Sequence, residues 1–427
     1  KPNPPLEGIG ESISQTINNW LALLGIKDKE FMKAANATYR LSTEFKDFYK
    51  KNEHSFHYPC GLPCFEGSHF WFNDWVGKKI LDPSLGVHTF SELFFPVMQL
   101  VLKNTYYENK DIKLEMDFIP ARYTSYHWDP VKFGQFLKSN YCLNKGVKLM
   151  VGEITDTKTT KEGLEEIVLN GSQCLKADLF IDCSGSESLL LGKAMKAPFI
   201  SYKDILINDS IIACHVPYKN PSKEITIYNT VTGYHNGWLW HTPLWSAISS
   251  GYVYSSKYVS HGQALNEYTE YLKNKFSNRS LKGIELKERK FKSGCHDQIW
   301  IKNVCAIGSS AGEIEPLQNN SLFATHDFLR ILIKFLWCKE DINQFDKDAF
   351  NHTCITRFID LAEFVSLPFR LTVREDTKYW KFLTNHSVDP PNLLEGENLV
   401  GEGGMLDYKR GYKDLVRQRM REEQLEN

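Results

Sequence analysis

Two tryptophans stand two residues apart, Trp238 and Trp240, with Pro243 three further on. Residues i and i+2 of a β-strand share a face, so the spacing predicts two indoles side by side on one surface. Proline donates no backbone hydrogen bond and stops a strand ladder, so that surface ends at a bend. Such a wall is either plain core packing or a stacking surface for a planar organic molecule. The stretch Ala177-Asp178-Leu179-Phe180-Ile181-Asp182-Cys183-Ser184-Gly185 is apolar and ends in small polar residues. A parallel strand that delivers its carboxyl end to a cofactor has this form. Val304 to Ile307 is a second buried strand, running into Gly308-Ser309-Ser310-Ala311-Gly312. Residues 54 to 75 gather histidines and aromatics, among them His69, Phe70 and Trp71. By itself that stretch reads as an aromatic loop.

The elements that must carry these residues follow in chain order. Pro2, Pro4 and Pro5 predict an extended entry ahead of Gly8-Ile9-Gly10-Glu11-Ser12. A helix is expected over residues 14–24, closed by Gly25 as its C-cap. A second helix is expected over 28–35 and an alternating strand over 41–49. Asp129 and Pro130 predict a helix through Leu137, with Asp129 as N-cap and Pro130 at the first helical position. Val147, Leu149 and Val151 alternate, which predicts a strand over 146–154. Residues 199–260 read as β-rich and 323–337 as a long helix. Pro and Gly punctuate 388–404 as a loop or linker, and the charged run 408–424 reads as a solvated helix.

Composition narrows the function. At 427 residues the chain has room for two domains, or for one large domain with a cap. A hydrophobic fraction of 42% with 24% charged residues describes an ordinary globular protein. The net charge of -1 offers no basic excess for nucleic acid or an anionic membrane, so a small-molecule partner is favoured. No apolar run reaches the length of a membrane span. The ten cysteines have no zinc-like spacing, which favours reduced thiols in a cytoplasmic protein and no metal.

Taken in order, these stretches resemble the flavin-dependent halogenases of the tryptophan halogenase type. Gly237-Trp238-Leu239-Trp240-His241-Thr242-Pro243 is similar to that family's W-x-W-x-I-P, with Thr242 in the place of Ile. Gly8-Ile9-Gly10-Glu11-Ser12 resembles G-V-G-E-A-T, and residues 178–185 nearly repeat the family's D-L-F-I-D-C-S-G. Glu315-Pro316-Leu317 stands as its E-P-L, and Arg374 to Trp380 as its R-D-D-T-x-F-W. The fold this implies is α/β. It has an FAD-binding Rossmann-like domain of the p-hydroxybenzoate hydroxylase type, an inserted β-sheet substrate region and a helical C-terminal part. The boundaries are 1–50, 121–198 and 296–340 for the FAD domain, 51–120 and 199–295 for the substrate region, and 341–427 for the helical region. The family's N-terminal Gly-rich turn has no counterpart, since no G-x-G-x-x-G occurs; a segment ahead of Lys1 is expected to supply it.

The resemblance also implies a chemistry. Reduced FAD from a separate flavin reductase and O2 oxidise a halide ion, and the hypohalous acid crosses to an aromatic substrate. The tryptophan wall keeps the two chambers apart. FAD is expected against Gly8, Gly10, Glu11, Ser12, Ile154, Ser184, Gly185, Gly308, Glu315, Pro316, Leu317 and Leu322. Substrate is expected against His69, Phe70, Trp71, Trp238, Trp240 and Pro243, and halide at Asn320 and Ser321. The family's catalytic lysine falls on Arg40 and its glutamate on Gln318. A guanidinium stays charged where an amine can lose its proton, and Gln318 takes up no proton. Arg40 is therefore either a catalytic hydrogen-bond donor or an ordinary solvated or ion-paired arginine. The departures point to bromide or iodide, which are more easily oxidised. The alternatives are a flavin-dependent monooxygenase, or a degenerate flavoprotein without turnover. Homo-oligomers are common in the family and have no marker in this sequence.

Overall fold

Runs rich in β-branched and aromatic residues between positions 210 and 254 build the middle of the largest sheet. The computed structural model describes residues 10–53, 55–61, 63, 71–86, 88–106, 123–338 and 341–385. Its strands in chain order are β1 (Glu11–Ser12), β2 (Thr38–Arg40), β3 (Ser42–Lys46), β4 (Phe56–Pro59), β5 (Ser125–Trp128), β6 (Ile154–Thr159), β7 (Leu164–Leu169), β8 (Gln173–Leu175) and β9 (Phe180–Asp182). They continue as β10 (Phe199–Ser201), β11 (Ser210–Pro217), β12 (Tyr228–Tyr234), β13 (Gly237–Pro243), β14 (Ala247–Tyr254), β15 (Lys287–Lys290), β16 (Gly294–His296), β17 (Trp300–Ile301), β18 (Val304–Ala306) and β19 (Gly312–Glu313).

The largest sheet has the order β15-β11-β14-β13-β12-β3-β4. Every pairing in it is antiparallel except β12 with β3. The tryptophan strand β13 is therefore central, and both its faces are covered. Trp238 and Trp240 pack into the main core with Val231, Val253 and Leu317. Leu239, one residue out of phase, packs on the other side with Tyr252, Tyr268 and Leu272. Tyr268 and Leu272 lie on the helix His261–Lys275, whose Ser260 and Gln263 form a capping box. The two-residue period of a strand thus sorts β13 between two cores, as the W-x-W spacing predicts.

A smaller sheet holds the two strand-and-turn units. β18 runs parallel to β9, with Val304 opposite Phe180 and Ala306 opposite Asp182. The turns at their carboxyl ends lock together. Ser188 Oγ donates to the Ser310 carbonyl at 2.8 Å, and Ser310 Oγ donates to the Asp182 carbonyl. Asp182 Oδ2 accepts the Leu190 and Leu191 N–H groups at 2.9 and 2.8 Å. A third sheet, β1-β5-β2, carries the start of the described chain. Asp129 caps the helix Pro130–Leu137 by accepting from Val131 and Lys132, as expected. The C-terminal helix Lys378–Asn385 is anchored by Trp380, whose indole donates to the Tyr234 carbonyl at 2.7 Å. The Arg374 guanidinium lies 4.0 Å above that ring and pairs with Asp376.

Some elements differ from expectation. The first helix begins at Ile17, and it ends as predicted at Gly25, which holds φ 69°. The second is a single turn, Asp28–Phe31. Residues 147–153 form no strand; the strand begins only at Ile154 and pairs with β7. Alternation supplies a face but not the partner that a ladder needs. Val147, Leu149 and Val151 are 56%, 55% and 87% exposed, and Ile181 of the neighbouring β9 is 38% exposed. β3 lies in the large sheet, although the division by resemblance groups residues 1–50 with the FAD domain. The loop at 388–404 and the helix at 408–424 lie outside the described residues. Among the described residues no helix is long and apolar enough to cross a membrane, no group of metal-binding side chains converges, and the cysteines are free.

Candidate active site

Trp238 and Trp240 are 3% and 8% exposed, with ring centroids 5.9 Å apart and planes inclined by 52°. Together they line a cavity of about 330 Å³. Thr242, next on the same face of β13, extends this wall, as do Val231 and Asn229 of β12. Gly10 and Glu11 line the cavity from the start of the described chain, and Ser309, Pro316 and Gln318 from the segment after β18. The wall is therefore a feature of a cavity that adjoins the turn region 308–317, and not only core packing. Pro243 ends β13 as expected but does not line this cavity; its carbonyl accepts the Thr38 hydroxyl.

Charge around the cavity is largely desolvated. Glu11 is half-buried in the cavity wall, and desolvation there pushes its carboxyl up to about 7; Arg289 opposes that rise, while Glu313 and Asp129 add to it. Arg289 reaches the cavity from β15 and pairs with Glu313. Burial also raises the Glu313 carboxyl, against the pull of Arg289. Glu315 is 1% exposed. Burial pushes its carboxyl up to about 7, with the Trp238 indole N–H as the largest opposing influence.

Arg40 is neither solvated nor, among the described residues, ion-paired. It is 5% exposed and donates to Asn229 Oδ1 at 3.3 Å, the Ile13 carbonyl at 2.7 Å and Thr43 Oγ1 at 2.7 Å. Asn229 lines the cavity, so the guanidinium sits one residue behind the wall. Burial holds the nearby His127 ring well below the usual histidine range, and the Arg40 charge lowers it further. Gln318 holds φ 72°. This left-handed conformation is uncommon for a residue with a Cβ and tends to gather at functional sites.

A second, small cavity of about 10 Å³ lies at the start of the helix Asn320–Cys338, lined by Gly308, Asn320, Ser321 and Thr325 with Ile314 and Phe328. That is room for about one water-sized sphere. Asn320 Nδ2 is buried there without a hydrogen-bond partner. Gly308 holds φ 75°, where a Cβ is strongly disfavoured.

The fold brings Gly10, Glu11, Trp238, Trp240, Pro316 and Gln318 to one cavity, and Gly308, Asn320 and Ser321 to the other. Glu315 and Leu317 are buried beside them, and Ser12 lies in β1. Ser184 and Gly185 form the turn joined to the Gly308 turn through Ser188. Ile154 packs on the main core and Leu322 on a separate cluster with Ile17; neither lines these cavities. Gly8, His69, Phe70 and the Trp71 side chain lie outside the described residues. Asn229 and Arg289 are additions. In sequence Arg289 sits within Lys287-Glu288-Arg289-Lys290, which looks like a solvated strand.

An indole-walled cavity near turns at the carboxyl ends of two parallel strands lies where an α/β enzyme binds its cofactor or substrate. The tryptophan halogenase family profile matches residues 1–405, and the chain belongs to that family of FADH2-dependent halogenating enzymes. Tryptophan 6-halogenase SttH of Streptomyces toxytricini is 29% identical over 91% of this chain and 75% of its own length. Tryptophan 7-halogenase RebH of Lentzea aerocolonigenes is 25% identical over 89% of this chain and 72% of its own. Among solved structures, VirX1 in its apo form superposes with a TM-score of 0.85 at 31% identity, covering 91% of this chain and 75% of that one.

Proposed function

We propose that this chain is the halogenating component of a two-component system. It would take reduced FAD from a separate reductase and place halogen on an aromatic or electron-rich carbon. The observation that carries the reading is the paired indole wall facing the turn that bears Gln318. Gly308 at φ 75° and Gly185 at φ 73° offer bare backbone at the ends of β18 and β9, and the larger cavity, walled by two indoles, would accept a planar ring. The residues present therefore fit the ring end of FAD. The turn that would cradle its pyrophosphate has no counterpart among the described residues. When bound, reduced FAD with O2 would supply the oxidising power for the halide.

The protein's own residues would do the rest. Gly10, Glu11, Ser309 and Pro316 would flank the ring, and Trp238 and Trp240 would exclude the substrate from it. Asn320 and Ser321 would hold the halide, because a helix N-terminus favours an anion and the Asn320 amide has an unused donor there. Arg40 would donate hydrogen bonds to the oxidised halogen but would not be halogenated itself. Gln318 would orient without moving a proton. A preference for bromide or iodide follows from that weaker activation. The relatives are named for tryptophan. The panel of acceptors for this chain therefore starts from indoles and extends to other electron-rich arenes.

The test is incubation with a reductase, FAD, NADH and chloride, bromide or iodide in turn, with mass spectrometry on a panel of indoles and phenols. Halogenated product with any halide supports the reading, and none with all three refutes it. Arg40→Lys combined with Gln318→Glu is expected to raise chlorination; an unchanged halide profile would remove these two residues from the site.

A further inference from the structure

The two indole N–H groups are used separately. Trp238 Nε1 donates to Glu315 Oε1 at 2.7 Å, and Trp240 Nε1 donates to Ser249 Oγ at 3.3 Å. Ser249 Oγ also accepts the backbone N–H of Gly10, at 3.2 Å. Glu315 and Ser249 are 1% and 0% exposed. One indole is thereby tied to the segment Glu315-Pro316-Leu317-Gln318 and the other to Gly10-Glu11. Those two segments line the same cavity as the indoles. Both ties span the sequence, Trp238 and Glu315 being 77 positions apart and Gly10 and Ser249 239 positions apart. The ring of Trp240 is also held face-on by Gly251, its partner across the ladder. A Cβ at position 251 would lie 1.9 Å from Trp240 Cη2.

We propose that Glu315 and Ser249 are positioning residues that clamp the indole wall to the two segments across the cavity. The spacing between wall and segments is then set by two buried side-chain hydrogen bonds. Turning either indole would strand a buried donor and a buried acceptor, which is costly in a dry site. The inference rests on reading the cavity as the cofactor side of a halogenase, and it deepens that reading. It assigns Glu315 to holding the wall, where the family resemblance places it against the flavin. A wall so held keeps oxidant from escaping around the indole edges.

The test follows the indole N–H resonances of the full chain by ¹H–¹⁵N spectroscopy, with Trp238→Phe and Trp240→Phe giving the assignments. Glu315→Leu is expected to speed hydrogen exchange at the Trp238 indole about tenfold, the worth of one buried hydrogen bond to a charged or polar group. Glu315→Gln still offers an oxygen acceptor and should restore wild-type exchange. Ser249→Ala should act on Trp240 and leave Trp238 unmoved. In the halogenation assay, Glu315→Leu should divert reducing equivalents from product to hydrogen peroxide, with Gln rescuing. Unchanged exchange in Glu315→Leu, or a Gln variant no better than Leu, overturns the proposal. Should Glu315→Leu fail to fold, unchanged Trp240 exchange in Ser249→Ala overturns it. If the exchange pattern holds while the wild type makes no halogenated product, the clamp stands and the functional reading falls.

Discussion

Replacing Glu315 by Gln should change how stability depends on pH, and the sign follows from its burial. The carboxyl rises from its ordinary 4.5 to about 7 because it lies wholly inside the protein. A raised folded value means that the fold favours the protonated form. The stability this contributes is full below pH 4.5 and is lost as pH rises through about 7. At about 1.4 kcal/mol per tenfold change in proton affinity, the rise corresponds to about 3 kcal/mol. Gln resembles the protonated carboxyl in shape and stays neutral at every pH. Urea unfolding followed by near-UV circular dichroism at pH 5, 6, 7 and 8 checks this. Wild type and Glu315→Gln should be close at pH 5, and the variant should gain up to about 3 kcal/mol by pH 8. A difference that is the same at pH 5 and pH 8, or that favours wild type more at pH 8, refutes the reasoning. Glu11→Gln should show the same direction.

Two other substitutions have defined outcomes. Gly251→Ala forces a methyl into the Trp240 ring, so it should cost about 1–3 kcal/mol and alter near-UV dichroism; an unperturbed thermal melt would contradict the packing. Asn320→Ala removes the unused buried donor from the small cavity and should raise the halide KM about tenfold with a smaller change in kcat. Steady-state kinetics over halide concentration decides that point, and an unmoved KM would place the halide elsewhere.

Features legible in the sequence were local ones. The W-x-W spacing implies one face, Asp129-Pro130 a helix start, and Gly25 a helix end, because each depends on neighbours within a turn or a strand period. The two parallel strands were readable because a run of apolar residues ending in Gly and Ser is itself the signal. What stayed hidden depends on distant partners. Residues 147–153 alternate like a strand yet form none. Arg289 looks solvated in a run of four charged residues, and it reaches the cavity only because β15 pairs with β11. Ser249 is one serine among many until the ladder sets it beside Trp240 and under Gly10. Arg40 was open between a catalytic donor and a surface ion pair. The structure buries it and engages its guanidinium with Asn229, the Ile13 carbonyl and Thr43, partners that lie far from it in sequence or in the next strand.

Halide binding should depend on the carboxyls desolvated around the larger cavity. Burial acts on the carboxyls near the larger cavity. It pushes Glu11 and Glu315 toward their neutral forms up to about pH 7. Glu313 is already matched by Arg289. Below about pH 7 these two carboxyls therefore set little negative charge against an anion bound nearby. Above it, Glu11 and Glu315 ionise and repel one. Halide KM should accordingly rise between pH 6 and pH 8 in the wild type, and Glu11→Gln should flatten that rise. A halide KM that stays level across this range in the wild type would mean that these carboxyls do not sense the bound ion.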